Sequence, residues 1–398
     1  MKIIFCVCFD EEKKKKIKSL DGKRVKLSII GAEINVEESN EIYDKIQEDD
    51  KEKEKKVQEG IISSMKKREA FQNICIELKD YDLKYVGAKS LNSQKLYNNV
   101  PNIPWLKYPE SFSIPFGTMN KFLSLEDNKS ISQKLNSFYE SLYDKSISNN
   151  KDKITEILLS IKKQILSLTF PQNSQLTTEL NLRLLKCGIS KEKMEKAYYS
   201  IKRVWSSISN LRVYLSLSKY SIPITEVNMS VLVQKIIPSE YAFVIHTKNP
   251  MNNNADELLG EVINGMGEAL VGAYEGQGFS FIYNKKTKNY QITSYQNKSI
   301  KLINGGDFIF RSDSNIEDIE NFSGAGLFDS IPIEKDIEVD MSYKDDKLFT
   351  DESFTKKIME GISAIGINIE RLYKNVPQDI EGVFSNGEFY VVQTRPQV

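Results

Sequence analysis

Histidine is nearly missing from this sequence of 398 residues, which contains only His246. A zinc peptidase motif of the HExxH type needs two histidines, so that class of site is excluded. Cysteine is scarce as well, and Cys6, Cys8, Cys75 and Cys187 lack the spacing of a zinc site or of a disulfide framework. We therefore expect free thiols in a reducing, cytoplasmic compartment, and a structural role for His246.

An excess of charge is also absent, because 55 lysines and arginines balance 55 aspartates and glutamates. No overall field then favours nucleic acid or an anionic membrane. No apolar run approaches the roughly 18 residues of a membrane-spanning helix. The short apolar run at the N-terminus is followed at once by acidic residues, so we expect no signal peptide. These absences predict a soluble protein with neither a nucleic-acid nor a membrane partner.

The common nucleotide and nucleophile motifs are missing too. There is no GxxxxGK[ST] loop, and the glycine-rich segment GMGEALVG, at 265–272, lacks the GxGxxG spacing of a Rossmann turn. There is no GxSxG elbow either, which excludes an α/β-hydrolase serine site.

The composition divides the chain into three regions. Residues 1–40 contain the strand-like runs IIFCVCF and RVKLSII with little to bury them, which is typical of part of a domain. Residues 41–70 include the mixed-charge run EDDKEKEKKVQE and are predicted to form a charged helix or linker. Residues 71–398 have the pattern of a globular domain.

Helices and strands both occur in this third region. Apolar residues at helical spacing predict an amphipathic helix: Ile154, Ile157, Leu158, Ile161, Ile165 and Leu168. Further helices are predicted over 193–208 and 354–373. Strands are predicted in NMSVLVQKII, YAFVIHT, FSFIYN, FIFRSDS and FYVVQTR, and NPMNNNAD is predicted to be a surface loop. The mixture indicates an α+β fold.

Two segments carry groups that suit phosphate. In FIFRSDSN, Arg311 follows an apolar strand, and the glycines Gly324 and Gly326 come soon after; the arginine fork and exposed amides of a glycine turn bind anions. In VGAKS, Lys89 precedes a helix start predicted at Ser90, where the lysine and the helix N-terminus converge. For either segment alone, the commoner explanation is a solvated lysine or a structural Arg–Asp pair.

The C-terminal hairpin QDIEGVFSNGEFYVVQTRPQV is more specific. Asp379 and Glu381 lie two apart on one strand, as do Gln393 and Arg395 on the next. Carboxylates suit magnesium, which proteins bind through one or two acidic groups plus phosphate oxygens and water. An exposed edge hairpin whose charges face water is the alternative.

The register of the hairpin decides whether these groups cooperate. A two-residue turn at Asn386 and Gly387 would place Glu381 opposite Val392 and split the four side chains between two faces. A three-residue loop over 385–387, with a bulge at the glycine, would bring all four to one face. We predict the bulged loop.

Several segments closely resemble the C-terminal ATP-binding part of alpha-glucan water dikinases. They are FIFRSDSN, GAGLFDS, SVLVQKII, YAFVIHT, NGMGEALVGAYEG, QDIEGV and GEFYVVQTRPQV, with VGAKS and AYYSIKRVW in consistent order. The resemblance covers most of the chain, and VCFDEEKKKK is similar to the segment just upstream in that family. More distantly, the same segments resemble the nucleotide domain of pyruvate phosphate dikinase, phosphoenolpyruvate synthase and rifampicin phosphotransferase, which has an ATP-grasp fold.

The resemblance implies ATP and Mg²⁺ as cofactors and assigns site residues. Those implied to contact ATP are Lys89, Gln234 on the adenine side, Arg311, Gly326, Ser330, Gln393 and Arg395, with Arg311 and Arg395 catalytic. Those implied to bind the metal are Glu381, Asp379 and Gln393. The fold implied is an ATP-grasp-like domain over 71–398, after a β-rich remnant of a swivelling phosphohistidine domain over 1–40.

The family's chemistry resembles a relay in which the ATP β-phosphate passes to a histidine and then to a glucosyl residue of α-glucan. The γ-phosphate passes to water, and the products are AMP and phosphate. We expect the carrier histidine, and with it most of the phosphohistidine domain, to lie upstream of Met1. Two alternatives remain: a pyruvate-directed dikinase or synthase, and a non-catalytic chain that binds ATP and regulates a partner.

Overall fold

In a computed structural model, the described residues are 15–16, 18–20, 23, 25–30, 33–38, 55–56, 58–59, 62–63, 69, 71–99, 103, 105–144, 147, 150–272, 274, 276–317, 324 and 326–397. No helix within these ranges is both long and apolar enough to cross a membrane.

The helices are α1 (Ala88–Asn99), α2 (Thr118–Leu123), α3 (Lys129–Leu142), α4 (Lys151–Ser167), α5 (Gln175–Lys186), α6 (Met194–Ser206), α7 (Leu211–Ser218), α8 (Glu268–Val271), α9 (Lys347–Thr350) and α10 (Glu352–Leu372). The strands are β1 (Val25–Ile30), β2 (Glu33–Glu38), β3 (Ile76–Glu77), β4 (Leu106–Lys107), β5 (Ser111–Ile114), β6 (Met229–Lys235), β7 (Tyr241–His246), β8 (Glu257–Asn264), β9 (Phe279–Asn284), β10 (Tyr290–Ser294), β11 (Ile300–Ile303), β12 (Phe308–Ser314), β13 (Ile331–Pro332), β14 (Ile337–Asp340), β15 (Gln378–Ser385) and β16 (Glu388–Pro396).

A five-stranded sheet, which we call the small sheet, has the order β13-β12-β6-β5-β3. Its pairs are all antiparallel. One face is apolar and packs under helix α6, which α4 covers in turn, and Phe112, Val233 and Phe310 share a core with Trp205. Because side chains alternate along a strand, the polar residues of the same strands are left on the opposite face.

A seven-stranded sheet, the large sheet, has the order β10-β9-β8-β7-β15-β16-β4. Only the β16–β4 pair is parallel. Helix α10 covers one face, and its residues Ile358, Ile362 and Ile365 share a core with Phe243 and Phe389. The other face carries a small apolar cluster near Ala242 and Ile263, and the paired strands β15 and β16 place polar side chains beside it.

The helices and strands predicted from periodicity are confirmed. The amphipathic segment forms α4, the other two predicted helices form α6 and α10, and each of the five predicted strands is present. Strand β1 lies in the second apolar run of region 1–40, whereas the first run lies outside the described residues. Described positions between 55 and 63 are helical. The prediction omitted β8, since its glutamates and Gly260 weaken the strand signal.

Candidate functional site

The turn of the C-terminal hairpin differs from the prediction. Phe384 pairs with Phe389 and Ser385 with Glu388, so the loop is the two-residue turn Asn386-Gly387. Both turn residues have positive φ, 50° and 82°. The predicted three-residue loop is therefore wrong. An Asn-Gly pair tolerates two left-handed conformations, and such a turn matches the twist of the flanking strands.

A bulge inside strand β16 nevertheless brings the four polar side chains together. Gly382 pairs with Val391, whereas Glu381 pairs with Gln393, so Val392 is an extra residue. Asp379 then pairs with Arg395. Directly paired residues share a face, so the predicted grouping of Asp379, Glu381, Gln393 and Arg395 is confirmed, although the bulge lies at Val392, five residues beyond the predicted loop.

The small sheet presents a complementary polar face. Arg311 and Asp313 on β12 alternate with Phe308 and Phe310, which face the core beneath α6. In the neighbouring strand, Gln234 pairs with Ile309 and Ser230 pairs with Asp313, so their side chains lie on the polar face too.

The two polar faces meet at Arg311. One guanidinium nitrogen, Nη2, lies 3.2 Å from Glu381 Oε2, and the other, Nη1, donates to Gln234 Oε1 at 3.1 Å. The Gln234 amide donates to the Val392 carbonyl at 3.1 Å and to the Tyr108 hydroxyl at 2.8 Å. Gln234 is 2% exposed. The bulged residue thus supplies a carbonyl that links the two sheets, a feature that residue patterns did not reveal.

Lys89 lies in the first turn of α1, which begins at Ala88 rather than at the predicted Ser90. Its Nζ forms a short ion pair with Glu317. The Glu317 carboxylate also accepts hydrogen bonds from the Ser312 hydroxyl, at 3.2 Å, and from the Ser314 amide, at 2.8 Å. Sequence reasoning missed Glu317, although it lies only two residues after the FIFRSDSN segment.

Asp313 is a second residue that sequence reasoning missed. It is fully buried, and its carboxylate accepts from the amides of Gly87 at 2.8 Å, Lys89 at 2.9 Å and Ser90 at 3.3 Å. The hydroxyls of Ser90 and Ser230 donate to it as well. The expectation that this helix N-terminus offers its amides to phosphate is wrong for these three groups, because Asp313 already takes them.

Arg395 forms a two-pronged ion pair with Asp379 across the hairpin. Its Nε and Nη2 lie 2.9 Å and 2.6 Å from Asp379 Oδ2. His246, on the adjacent strand β7, places Nε2 4.0 Å from Asp379 Oδ1. The buried His246 Nδ1 has no hydrogen-bond partner among the described residues.

Gly326 and Ser330 belong to a loop that is anchored elsewhere. The carbonyl of Leu327 accepts from Arg212 Nε at 2.7 Å, and Asp329 also pairs with Arg212. Gly326 has a φ of 71°, and Ser330 is exposed. Within the described residues, neither is hydrogen-bonded to Lys89 or to the hairpin. Their phosphate-binding role stays a prediction.

Burial and neighbouring charges perturb two groups at the edge of the site. Burial raises the pKa of Glu268, with Asp336 and Glu381 adding to the shift and Arg311 opposing it. Burial also raises the pKa of the Tyr108 hydroxyl, which therefore stays protonated at neutral pH.

The residues present fit a magnesium-bound polyphosphate. Lys89, Arg311 and Arg395 supply three cations, and the buried Nε of Arg311 has no acceptor in the described part of the chain, as expected for a donor that pairs with a bound anion. Asp379 and Glu381 match the one or two carboxylates through which proteins hold phosphate-bound magnesium. No cluster of three or more metal-ligating His, Cys, Asp or Glu side chains occurs among the described residues.

Comparisons with known proteins identify the family to which the chain belongs. The family model of the pyruvate phosphate dikinase AMP/ATP-binding domain matches residues 175–398, more than half of the chain. Over its whole length the chain is 36% identical to the chloroplastic alpha-glucan water dikinase of Citrus reticulata and 35% identical to alpha-glucan water dikinase 2 of Arabidopsis thaliana. A probable phosphoenolpyruvate synthase of Methanocaldococcus jannaschii is 27% identical over 49% of this chain and 14% of its own length.

The resemblance to alpha-glucan water dikinases is thereby confirmed. The chain spans 26% of the Citrus relative and 30% of the Arabidopsis relative. The matched family model covers both strands of the bulged hairpin, strand β12 and the Gln234 strand. This chain belongs to the family of the pyruvate phosphate dikinase AMP/ATP-binding domain.

Proposed function

We propose that this chain is the ATP-binding catalytic part of a glucan, water dikinase. The proposal rests on one observation: Arg311, on the small sheet, forms an ion pair with Glu381, in the bulged hairpin of the large sheet. Two sheets that converge on cationic and carboxylate side chains suit the triphosphate of ATP, and this arrangement supports the ATP-grasp-like fold over 71–398.

In this proposal, each group at the junction has a distinct role. Lys89, Arg311 and Arg395 bind phosphate oxygens and stabilise the charge that develops during phosphoryl transfer, which is where most catalysis of this reaction arises. Asp379, Glu381 and the Gln393 amide oxygen hold Mg²⁺, which supplies charge neutralisation of the phosphates when bound. Gln234 orients Arg311 beside the nucleotide, and Gly326 and Ser330 contact the phosphates.

The proposed reaction has two acceptors. The β-phosphate of ATP passes to a histidine of an upstream phosphohistidine domain and from there to a glucosyl hydroxyl of α-glucan. The γ-phosphate passes to water, which leaves AMP and inorganic phosphate. His246 does not serve as the carrier, because it lies within a central strand beside the hairpin, where no swivelling movement is available to it.

The partners and the compartment belong to the same proposal. The names of the relatives indicate α-glucan as the substrate and, for the Citrus protein, a chloroplast. We retain a cytoplasmic location for this chain. Region 1–40, with its β1–β2 hairpin, is proposed to be the remnant of the phosphohistidine domain.

Calorimetric titration with ATP and magnesium tests nucleotide binding. The wild-type chain should bind, and Arg395→Ala should weaken binding at least about 100-fold, since it removes a guanidinium group that is proposed to form charged hydrogen bonds with phosphate. Arg371→Ala is the matched control, because Arg371 is exposed on α10, which covers the other face of the large sheet. Absence of heat with a folded wild-type chain would reject an ATP site here.

Transfer is tested with ATP labelled at the β-phosphate. The chain is mixed with the separately expressed phosphohistidine domain of an alpha-glucan water dikinase, and then with glucan or pyruvate. Label should reach the histidine domain and then glucan, with release of AMP. Label on pyruvate would instead indicate a phosphoenolpyruvate synthase, and binding without any transfer would indicate a regulatory ATP-binding chain.

A further inference from the structure

Each of the three cations at the proposed phosphate site is ion-paired with its own carboxylate. The pairs are Lys89–Glu317, Arg311–Glu381 and Arg395–Asp379. These six charges cancel, so the surface that is proposed to receive a polyanion holds no surplus of positive charge from them. Nucleotide phosphates must therefore compete with protein carboxylates for every one of these cations.

The competition is strong because all three pairs are largely shielded from water. The exposed side-chain fractions are 12% and 5% for Lys89 and Glu317, and 13% and 31% for Arg311 and Glu381. A shielded ion pair resists separation, since removing one partner leaves an uncompensated charge.

The carboxylates differ in how firmly they are held. Besides its ion pair with Lys89, Glu317 accepts two hydrogen bonds, from Ser312 and Ser314. These two bonds do not depend on the lysine. Glu381 accepts a hydrogen bond only from Arg311 among the described residues. Asp379 likewise depends on Arg395, with His246 Nε2 4.0 Å away. The two less firmly held carboxylates are those proposed to bind the metal.

We propose that Asp379 and Glu381 block metal-free nucleotide by occupying Arg395 and Arg311, and that they release both arginines on engaging a divalent cation. The inference rests on the proposed function and adds a regulatory property to it. Guanidinium groups move from carboxylate to phosphate while the carboxylates move to the metal, so no charge is left unpaired. Metal and nucleotide then raise each other's affinity by the same factor, as linkage requires.

Stronger ATP binding in magnesium does not by itself establish this exchange, because magnesium neutralises the phosphates of ATP in any protein. The size of the change that a carboxylate substitution causes in the affinity for ATP, measured without metal, does establish it. If Asp379 and Glu381 were only metal ligands, removing their charge would tighten metal-free binding only slightly, by weakening their repulsion of the phosphates. If they occupy the arginines, removing it must tighten metal-free binding well beyond that, because a guanidinium group becomes available to phosphate.

The experiment is a calorimetric titration of ATP in the presence of EDTA. Asp379→Asn and Glu381→Gln should each bind metal-free ATP about tenfold more tightly than wild type, and lose most of the gain that magnesium confers. Glu261→Gln is the matched control: Glu261 pairs with Val244, which pairs with Glu381, so it lies two strands away on the same face. It forms no ion pair within the described residues, and its substitution should leave metal-free affinity unchanged.

A wild-type measurement makes the test independent of any variant's folding. Without metal, ATP should bind no more tightly than AMP, because its extra phosphates find every cation occupied. With magnesium, ATP should bind at least about tenfold more tightly than AMP.

The outcomes separate this inference from the proposed function. Wild-type protein that binds no ATP even with magnesium would overturn both. Wild-type protein that binds magnesium–ATP, with amide variants no tighter than wild type in EDTA, would overturn the exchange alone. Equal tightening by Glu261→Gln, or metal-free ATP binding more than tenfold tighter than AMP, would also overturn the exchange.

Discussion

At the scale of single residues, the carboxylate of Asp313 holds the first turn of α1 against β12. It satisfies three backbone amides at the start of α1 and two serine hydroxyls. Helix N-termini leave several amides without intrahelical partners, and an acidic group there also faces the positive end of the helix dipole. Asp313 therefore fixes the position of Lys89, although it contacts the lysine only through its backbone.

We expect Asp313→Asn to lower the free energy of unfolding by about 2–4 kcal/mol, because it removes a buried charge that accepts several hydrogen bonds. Urea denaturation measures the loss. Asp345→Asn is the control, since Asp345 is exposed and surface changes stay within about 0.5 kcal/mol. Equal losses in the two variants would contradict the role of Asp313.

Cys75 and Cys187 illustrate the effect of burial on a reactive group. Both are free thiols, as the spacing of the cysteines predicted; Cys6 and Cys8 lie outside the described residues. Burial raises the pKa of both thiols, so the reactive thiolate is scarce near neutral pH.

In a Cys6→Ser, Cys8→Ser background, we expect Ellman's reagent to label Cys75 and Cys187 slowly in the native protein at pH 8. Labelling should be complete within the dead time in urea, where the pKa of each thiol returns to its ordinary value. Rapid native labelling of two thiols would contradict their burial.

At the scale of elements, the hairpin and helix α10 show how closely the large sheet is packed. A Cβ placed on Gly361 of α10 would lie 2.2 Å from Phe389 Cζ on β16. Glycine is therefore required at this position by close approach of the helix to the sheet, at the expense of helix propensity.

The Gly361→Ala substitution distinguishes helix propensity from close packing, because the two predict opposite changes in the free energy of unfolding. Helix propensity alone predicts a gain of about 1 kcal/mol, whereas overpacking against Phe389 predicts a loss of about 1–3 kcal/mol. We expect the loss, measured by urea denaturation.

Phe389→Leu provides the partner for a double-mutant cycle. The shorter side chain relieves the clash, so the double variant should be more stable than the sum of the single losses predicts, by at least about 0.5 kcal/mol. Additive losses would show that Gly361 and Phe389 do not constrain each other.

At the scale of the whole molecule, the small and large sheets are joined at the proposed site by contacts that centre on Arg311 and Gln234. A ligand bound there adds further contacts to both sheets. Its binding free energy then stabilises the folded chain as a unit.

ATP with magnesium should raise the melting temperature measured by differential scanning fluorimetry. At an ATP concentration 100-fold above Kd, the gain in folding free energy is about 2.7 kcal/mol. EDTA should abolish most of the shift, because the arginines return to Asp379 and Glu381. Arg395→Ala should show a much smaller shift at the same ATP concentration, and a wild-type shift that survives EDTA in full would contradict the metal dependence.

Much of this molecule follows from the sequence alone. Periodicity located α4, α6 and α10, because an amphipathic helix must repeat its apolar residues every three or four positions. Residue chemistry selected Arg311, Asp379, Glu381 and Arg395, since charged groups on otherwise apolar strands require partners. It selected Lys89 because a lysine beside a helix N-terminus suits phosphate.

Tertiary structure decided how those groups are combined. Local propensity favours the Asn386-Gly387 turn, but the bulge at Val392, the pairing of Glu381 with Gln393 and the contact of Val392 with Gln234 involve strands far apart in the chain. Asp313 and Glu317 were not identified because the partners that bring them to the site, Gly87 and Lys89, lie more than 220 residues away along the chain. Hydrogen bonds and ion pairs act through space, and no periodicity in the sequence records contacts between residues so far apart.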